Sequence, residues 1–207
     1  MKPVDIKEFE GKGRQETLKK AWGDLISKDI LSIAESAAVE IDAAGTYKVI
    51  FLGESYEVDP KTKTVRKGER EASPFTSILI LHYLAGAGDS RPTGKLITFR
   101  KLVGGDIYYS AFRKRSIDPI TETFSSDAEG FLHRSKAIGG EPIEQGDVGV
   151  RFMVFPKIPV TVLVWGGDSE IPGSANVLFD ETAGDHMPTE DLSLIGAIIA
   201  ARLISGP

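Results

Sequence analysis

Hydrophobic and polar positions change period several times along this chain. From Gln15 to Trp22 and from Ser27 to Val39 they recur at helical spacing, with Ile30, Ile33, Ala34 and Ala37 at i, i+3, i+4 and i+7 and Ser27 as the expected cap. Both segments read as packing helices. The period then shortens. Tyr47 to Leu52 and Ser55 to Val58 are strand-like around Gly53-Glu54, and Asp59-Pro60-Lys61 turns the chain into a third strand near Thr64. An antiparallel meander is the expected result. Ser73-Pro74 next supplies a cap with proline at the first helical position, and FTSILILHYLAGAG continues as a helix that is apolar almost all round and stops at Gly86 or Gly88. A helix of that kind belongs at the centre of a fold.

LITFRKL, between Gly94 and Gly105, is expected to be a short strand or turn. Ile107 to Arg115 reads as a helix that presents Tyr108, Phe112 and Arg115 at spacings of three to four and breaks at Pro119. Asp127 to Asp147, with few apolar positions and Gly139-Gly140, reads as mostly loop and as the most mobile stretch. Gly149 to Phe155 and Val160 to Trp165 are β-branched and aromatic runs flanking Pro156-Lys157-Ile158-Pro159, which predicts a second hairpin, and Asn176 to Phe179 adds one strand. Thr189 to Ile204 carries Leu192, Ile195, Ile199 and Leu203 on one face, with Glu190 and Asp191 in the first turn, where carboxylates favour the helix dipole. Hairpins rather than βαβ units indicate an α+β fold, an antiparallel sheet built from hairpins and a meander and packed with about five helices. Lacking repeats and linkers, residues 1–207 read as one domain, with 1–46 an N-terminal helical part and 47–207 the core.

Composition narrows the chemistry. The chain has 207 residues, 25 basic and 30 acidic side chains, a formal charge of −5 and no cysteine. Disulfides, thiolate ligation of zinc or iron–sulfur clusters and cysteine nucleophiles are excluded, which leaves histidine and carboxylate as ligands for a transition metal. With no run of 18 apolar residues and no apolar stretch at the start, the expectation is a cytoplasmic protein without a membrane partner. The charge is segregated. Lys95 to Arg115 holds six basic residues against Asp106, whereas Ile158 to Ala201 holds seven acids and no Lys or Arg. These stretches could pair across the fold, be solvated, or form an anion-binding edge beside a carboxylate cluster. The basic stretch is too short on an acidic chain to serve nucleic acid.

Three groups of residues could carry chemistry. His82 lies inside the apolar helix on the side of Phe75, Ile78 and Leu79, where an imidazole needs a hydrogen-bond partner or a ligand. A protein partner is the simpler reading, and axial ligation of a metal-centred tetrapyrrole the sharper one. Asp168, Glu170, Asp180, Asp185 and His186 fall among glycines and prolines that could let oxygen ligands converge on a divalent cation such as Mg²⁺, Mn²⁺ or Zn²⁺. Turn, cap and helix-terminal duties explain the same carboxylates. Arg100, Lys101, Arg113 and Arg115 interleave with Tyr108, Tyr109 and Phe112, a mixture able to hold a phosphate, a carboxylate or a flat ligand with acidic arms, or to form a surface helix with its aromatic face inward. No GxSxG, GxxxxGK[ST] or strand-linked GxGxxG motif is present, and no spacing selects a Ser/His/Asp triad.

Three blocks, ILILHYLAGAG (Ile78 to Gly88), GKLITFRKLVGGDIYYSAFRKRS (Gly94 to Ser116) and PVTVLVWGGDSEIPGSANVLFDETAGDHMPTEDL (Pro159 to Leu192), fall in order with their connecting lengths. Together they resemble the prokaryotic family domain of unknown function 3786, met mostly in anaerobic bacteria and archaea, less clearly before Tyr47. Some members look like fusions with an iron–sulfur segment, which would suggest redox or one-carbon metabolism. Lacking cysteine, this chain would leave any such cluster to a partner. The expectation is an accessory domain that binds a small molecule or cofactor between the His82 helix, the Tyr108 to Arg115 helix and the loop after Trp165. A metal-dependent hydrolase or lyase and an interaction module for a redox or methyl-transfer protein are the alternatives.

Overall fold

The computed structural model describes residues 14–206. Its first helix, α1 (Arg14–Ile26), buries Ala21, Trp22 and Leu25 against the later helix α3 (Pro74–Gly86). Helix α2 (Ile30–Ser36) starts later than expected, because its cap is Asp29, whose carboxylate accepts from the Ser32 amide at 2.8 Å. Ser27 is spent at the end of α1, donating its hydroxyl to the Asp24 carbonyl at 2.9 Å.

The meander is present as β1 (Glu40–Ile41), β2 (Tyr47–Phe51), β3 (Glu54–Asp59), β4 (Thr64–Lys67) and β5 (Arg70–Glu71), paired in sequence order. Tyr47, Val49 and Phe51 point inward and Lys48 and Ile50 outward, as a half-buried strand requires. The second sheet has the order β6-β10-β9-β8-β7, from β6 (Leu96–Thr98), β7 (Glu141–Ile143), β8 (Val148–Phe155), β9 (Ile158–Trp165) and β10 (Ser174–Asp180). All pairings in both sheets are antiparallel. The class is α+β, with meander and hairpin assigned to separate sheets. They meet where the Leu52 amide donates to the Val154 carbonyl at 2.9 Å. There Phe155 stacks on Phe51 at 4.9 Å and on Tyr83 at 4.2 Å.

Ser73 caps α3 through the Thr76 amide, with Pro74 in its first turn. Helix α4 (Gly105–Phe112) does not stop at Pro119. It runs through a π turn (Arg113–Ile117) into α5 (Asp118–Phe124), and the wider turn accommodates a ring that would clash in a regular helix. The segment expected to be loop instead contains α6 (Ala128–Ala137) and β7. Asp127 caps α6 through the Gly130 amide at 2.9 Å, and one fully buried ring, Phe131, packs on Phe124 at 5.5 Å. Helix α7 (Thr189–Ser205) is buried along most of its length and touches α4, α5 and α6. Gly196 makes that approach possible, since a Cβ there would lie 2.5 Å from the Phe112 ring. A hydrophobic cluster from Ala21 to Leu203 draws on both sheets and on α1 to α7. Among the described residues no helix is long and apolar enough to cross a membrane.

Candidate functional site

Two central helices bring together the residues of greatest chemical interest. His82 sits on α3, and Asp191 in the first turn of α7, 109 residues away; His82 Nδ1 and Asp191 Oδ2 are 2.7 Å apart. The carboxylate side chain is 10% exposed and the imidazole 28%. The hydrogen bond to Asp191 raises the His82 pKa above its ordinary value and outweighs burial, which acts the other way; Asp24 adds to the rise and Lys20 opposes it. With Nδ1 committed to the carboxylate, Nε2 has no hydrogen-bond partner among the described residues.

His82 borders a cavity of about 430 Å³, walled by Lys20, Asp24, Ser27 and Lys28 on one side and by Ala85, Gly86 and Pro188 on the other. Lys28 Nζ donates to the Ala85 carbonyl at the end of α3, where a cation complements the helix dipole. Lys20, Asp24 and Lys28 recur every four residues, so one face of α1 and its extension lines the cavity. This pocket can present an imidazolium N–H and lysine ammonium groups to an anionic group.

The other candidates are distributed elsewhere. Arg100 pairs with Asp106 at 2.7 Å and lies over the Tyr109 ring at 4.9 Å, and Arg113 pairs with Asp118 at 2.8 Å. Arg115 is exposed on the π turn. Phe112 is fully buried, stacked on Phe99 at 4.0 Å, and belongs to the core. Tyr108 approaches the His82 region, since its hydroxyl donates to Glu190 next to Asp191. Trp165 ends β9 beside Gly146 and does not border the His82 cavity. The expected convergence of three segments is therefore not formed.

Two of the four carboxylates set aside for a metal, Asp168 and Asp180, are occupied by backbone and hydroxyl donors. Asp168 accepts the amides of Glu170 and Ile171 at 2.8 and 2.7 Å, bonds that lower its pKa. Asp180 is fully buried and accepts from the Gly94 amide (2.7 Å), the Thr93 amide (3.2 Å), and the Thr182 amide and hydroxyl (3.1 and 2.8 Å). Burial alone would raise that carboxyl, but these bonds hold it below the usual range. His186 is fully buried: Gly88 donates its amide to Nδ1 at 3.3 Å, which leaves Nε2 to carry the proton toward Ser90 Oγ at 3.3 Å. Burial, aided by nearby Lys157, pushes the His186 pKa down. Glu170 and Asp185 are exposed. Among the described residues no three His, Asp or Glu side chains are grouped to hold one ion.

Sequence reasoning missed Lys20, Asp24, Ser27 and Lys28, although their helical spacing was legible. Asp191 was read only as a helix-terminal charge; nothing local in the sequence tied it to His82.

These features define a two-sheet α+β protein with a largely apolar pocket, edged by His82 and by lysines of α1 and its extension, beside its central helices. The chain belongs to the family described as Domain of unknown function (DUF3786), whose model matches residues 29–202. That span includes His82 and Asp191 and begins just after Lys28, so the α1 wall of the pocket lies outside it. No curated protein and no solved structure matches the chain.

Proposed function

We propose that this protein is an accessory domain that binds a small molecule bearing an acidic group, a carboxylate or phosphate, at His82, in the cytoplasm of an anaerobic cell. One observation carries the reading. A nearly buried carboxylate anchors His82 Nδ1 and favours the imidazolium, while Nε2 has no hydrogen-bond partner among the described residues and borders a cavity whose wall supplies Lys20 and Lys28. A hydrogen bond between a cationic donor and an anion is about twice as strong as a neutral one; Lys20 and Lys28 are solvent-exposed, so their contribution weakens with added salt.

The test is native mass spectrometry with an absorbance spectrum on protein purified anaerobically, followed by thermal-shift titration with inorganic phosphate, pyrophosphate and succinate. A bound anionic species, or stabilisation by one of the three that Lys20→Ala with Lys28→Ala removes, is the expected outcome. Absence of any bound species together with no thermal response would overturn the reading. A carboxylate-backed histidine whose Nε2 no described residue engages also suits axial ligation of a metal-centred tetrapyrrole. An intense visible absorbance band would favour that second reading.

A further inference from the structure

The turn between Leu102 and α4 carries an unusual surface. Val103 is 90% exposed and Ile107 is 81% exposed, and they share one tip, whereas Leu31 and Ile171 are exposed at separate places. Burying either side chain inside the molecule would have been favourable, so their joint exposure calls for an occupant.

The tip is rigidly built. Gly104 has φ of +72°, and a Cβ on Gly105 would lie 2.1 Å from the Phe99 carbonyl oxygen, so both positions require glycine. The Gly105 amide donates to the Leu102 carbonyl at 2.9 Å and the Ile107 amide to the Gly104 carbonyl at 3.1 Å. Thr189 Oγ1 donates to the Val103 carbonyl at 2.7 Å, and Tyr108 is tied to Glu190, so the first turn of α7 braces the tip. Beneath it, the Phe99–Phe112 stack anchors both flanks in the core. A surface held this way loses little conformational entropy on binding.

Charge indicates what it meets. Arg100 and Lys101 flank the tip on one side. Arg113 and Lys114 follow on the other, with Ile107, Ala111 and Lys114 spaced along one exposed stripe of α4 and its π turn. Arg100 is paired with Asp106 and Arg113 with Asp118, so the positive charge offered beside the tip is chiefly that of the exposed Lys101 and Lys114. We infer that Val103 and Ile107 dock into an apolar socket of a protein partner whose rim carries carboxylates. A protein rim fits better than an anionic bilayer, because the acidic remainder of the chain would be repelled by an extended negative surface, whereas a rim acts within about one Debye length of roughly 8 Å. This inference does not depend on the His82 reading.

The experiment places a benzophenone photo-crosslinker at Val103 or Ile107 of the full chain in its native host, with Ile171 as the comparison site. The captured protein is then purified and its affinity measured against wild type, Ile107→Asp and the Lys101→Glu, Lys114→Glu double variant. The expected result is one protein captured from both tip positions but not from Ile171. Its binding should weaken roughly tenfold to a hundredfold with Ile107→Asp, and weaken with added salt and with the charge-reversed pair. An unchanged melting temperature for Ile107→Asp separates lost docking from lost folding. Capture of nothing, of the chain itself or of lipid alone would overturn the inference. So would binding indifferent to Ile107→Asp, or sedimentation with phosphatidylglycerol vesicles that Ile107→Asp abolishes.

Discussion

Replacing Asp191 by Asn keeps the shape of the His82 contact and removes its charge. In the wild type a nearly buried carboxylate bonds to His82 at 2.7 Å, with side-chain exposures of 10% and 28%. A charge-assisted hydrogen bond of this kind contributes about 1.5–3 kcal/mol. Because the folded His82 pKa lies above its unfolded value of 6.5, that stability is fully present below pH 6.5 and is lost as pH rises through the raised folded value. At about 2–4 °C per kcal/mol for a chain of this size, Asp191→Asn should lower the melting temperature by about 3–12 °C at mildly acidic pH. The gap should narrow as pH rises past the folded value. Asp191 also lies in the first turn of α7, where a carboxylate contributes about 0.3–1 kcal/mol independently of His82. A double-mutant cycle with His82→Gln, melted across the pH range, separates the two contributions. Histidine-selective NMR should show the His82 pKa falling in Asp191→Asn, since the bond that raises it most is lost and burial still lowers it. An unchanged His82 pKa, or an equal loss of stability at acidic and alkaline pH, would refute the reasoning.

His186 should act in the opposite direction. Its pKa is depressed by burial, so its contribution is present above pH 6.5 and is lost as pH falls through the folded value; His186→Asn, whose Oδ1 can stand in for Nδ1 as acceptor of the Gly88 amide, should flatten the acid side of the melting profile. Gly105→Ala forces a Cβ to 2.1 Å from a backbone oxygen and should cost about 3 kcal/mol in urea unfolding. Ser116 Oγ is buried without a hydrogen-bond partner among the described residues, so Ser116→Ala should be neutral or stabilise by up to about 1 kcal/mol in the same assay.

Much of the fold was legible because local signals agreed with one another. Ser73-Pro74 followed by an apolar run could only open a buried helix, and the alternation of Tyr47, Val49 and Phe51 could only be a half-buried strand. Helix α6 was hidden because its anchorage depends chiefly on Phe131, too little to set a period across ten residues. Ser27 and Asp29 are equally good caps in isolation; the length of α1, which consumes Ser27, decides between them.

The site was less legible, because charge segregation along the chain does not say which charge meets which. The acidic stretch is largely used internally: Asp168 in its own turn, Asp180 on backbone amides, Asp191 on His82. Lys95–Glu181 at 2.7 Å is an ion pair that joins the basic and acidic stretches, while Arg100 and Arg113 find acids nearby in sequence. What remains beside the Val103–Ile107 tip is chiefly the exposed Lys101 and Lys114, and the His82 pocket borrows its cations from α1 and its extension.

The central claim is that His82 receives an anionic ligand, and its most direct test is histidine-selective NMR of the full chain during titration with inorganic phosphate. His82 should shift saturably and its pKa should rise further, while exposed His133 and buried His186 serve as internal references and stay in place. A His82 resonance that does not move, or that moves only in step with His133, would contradict it.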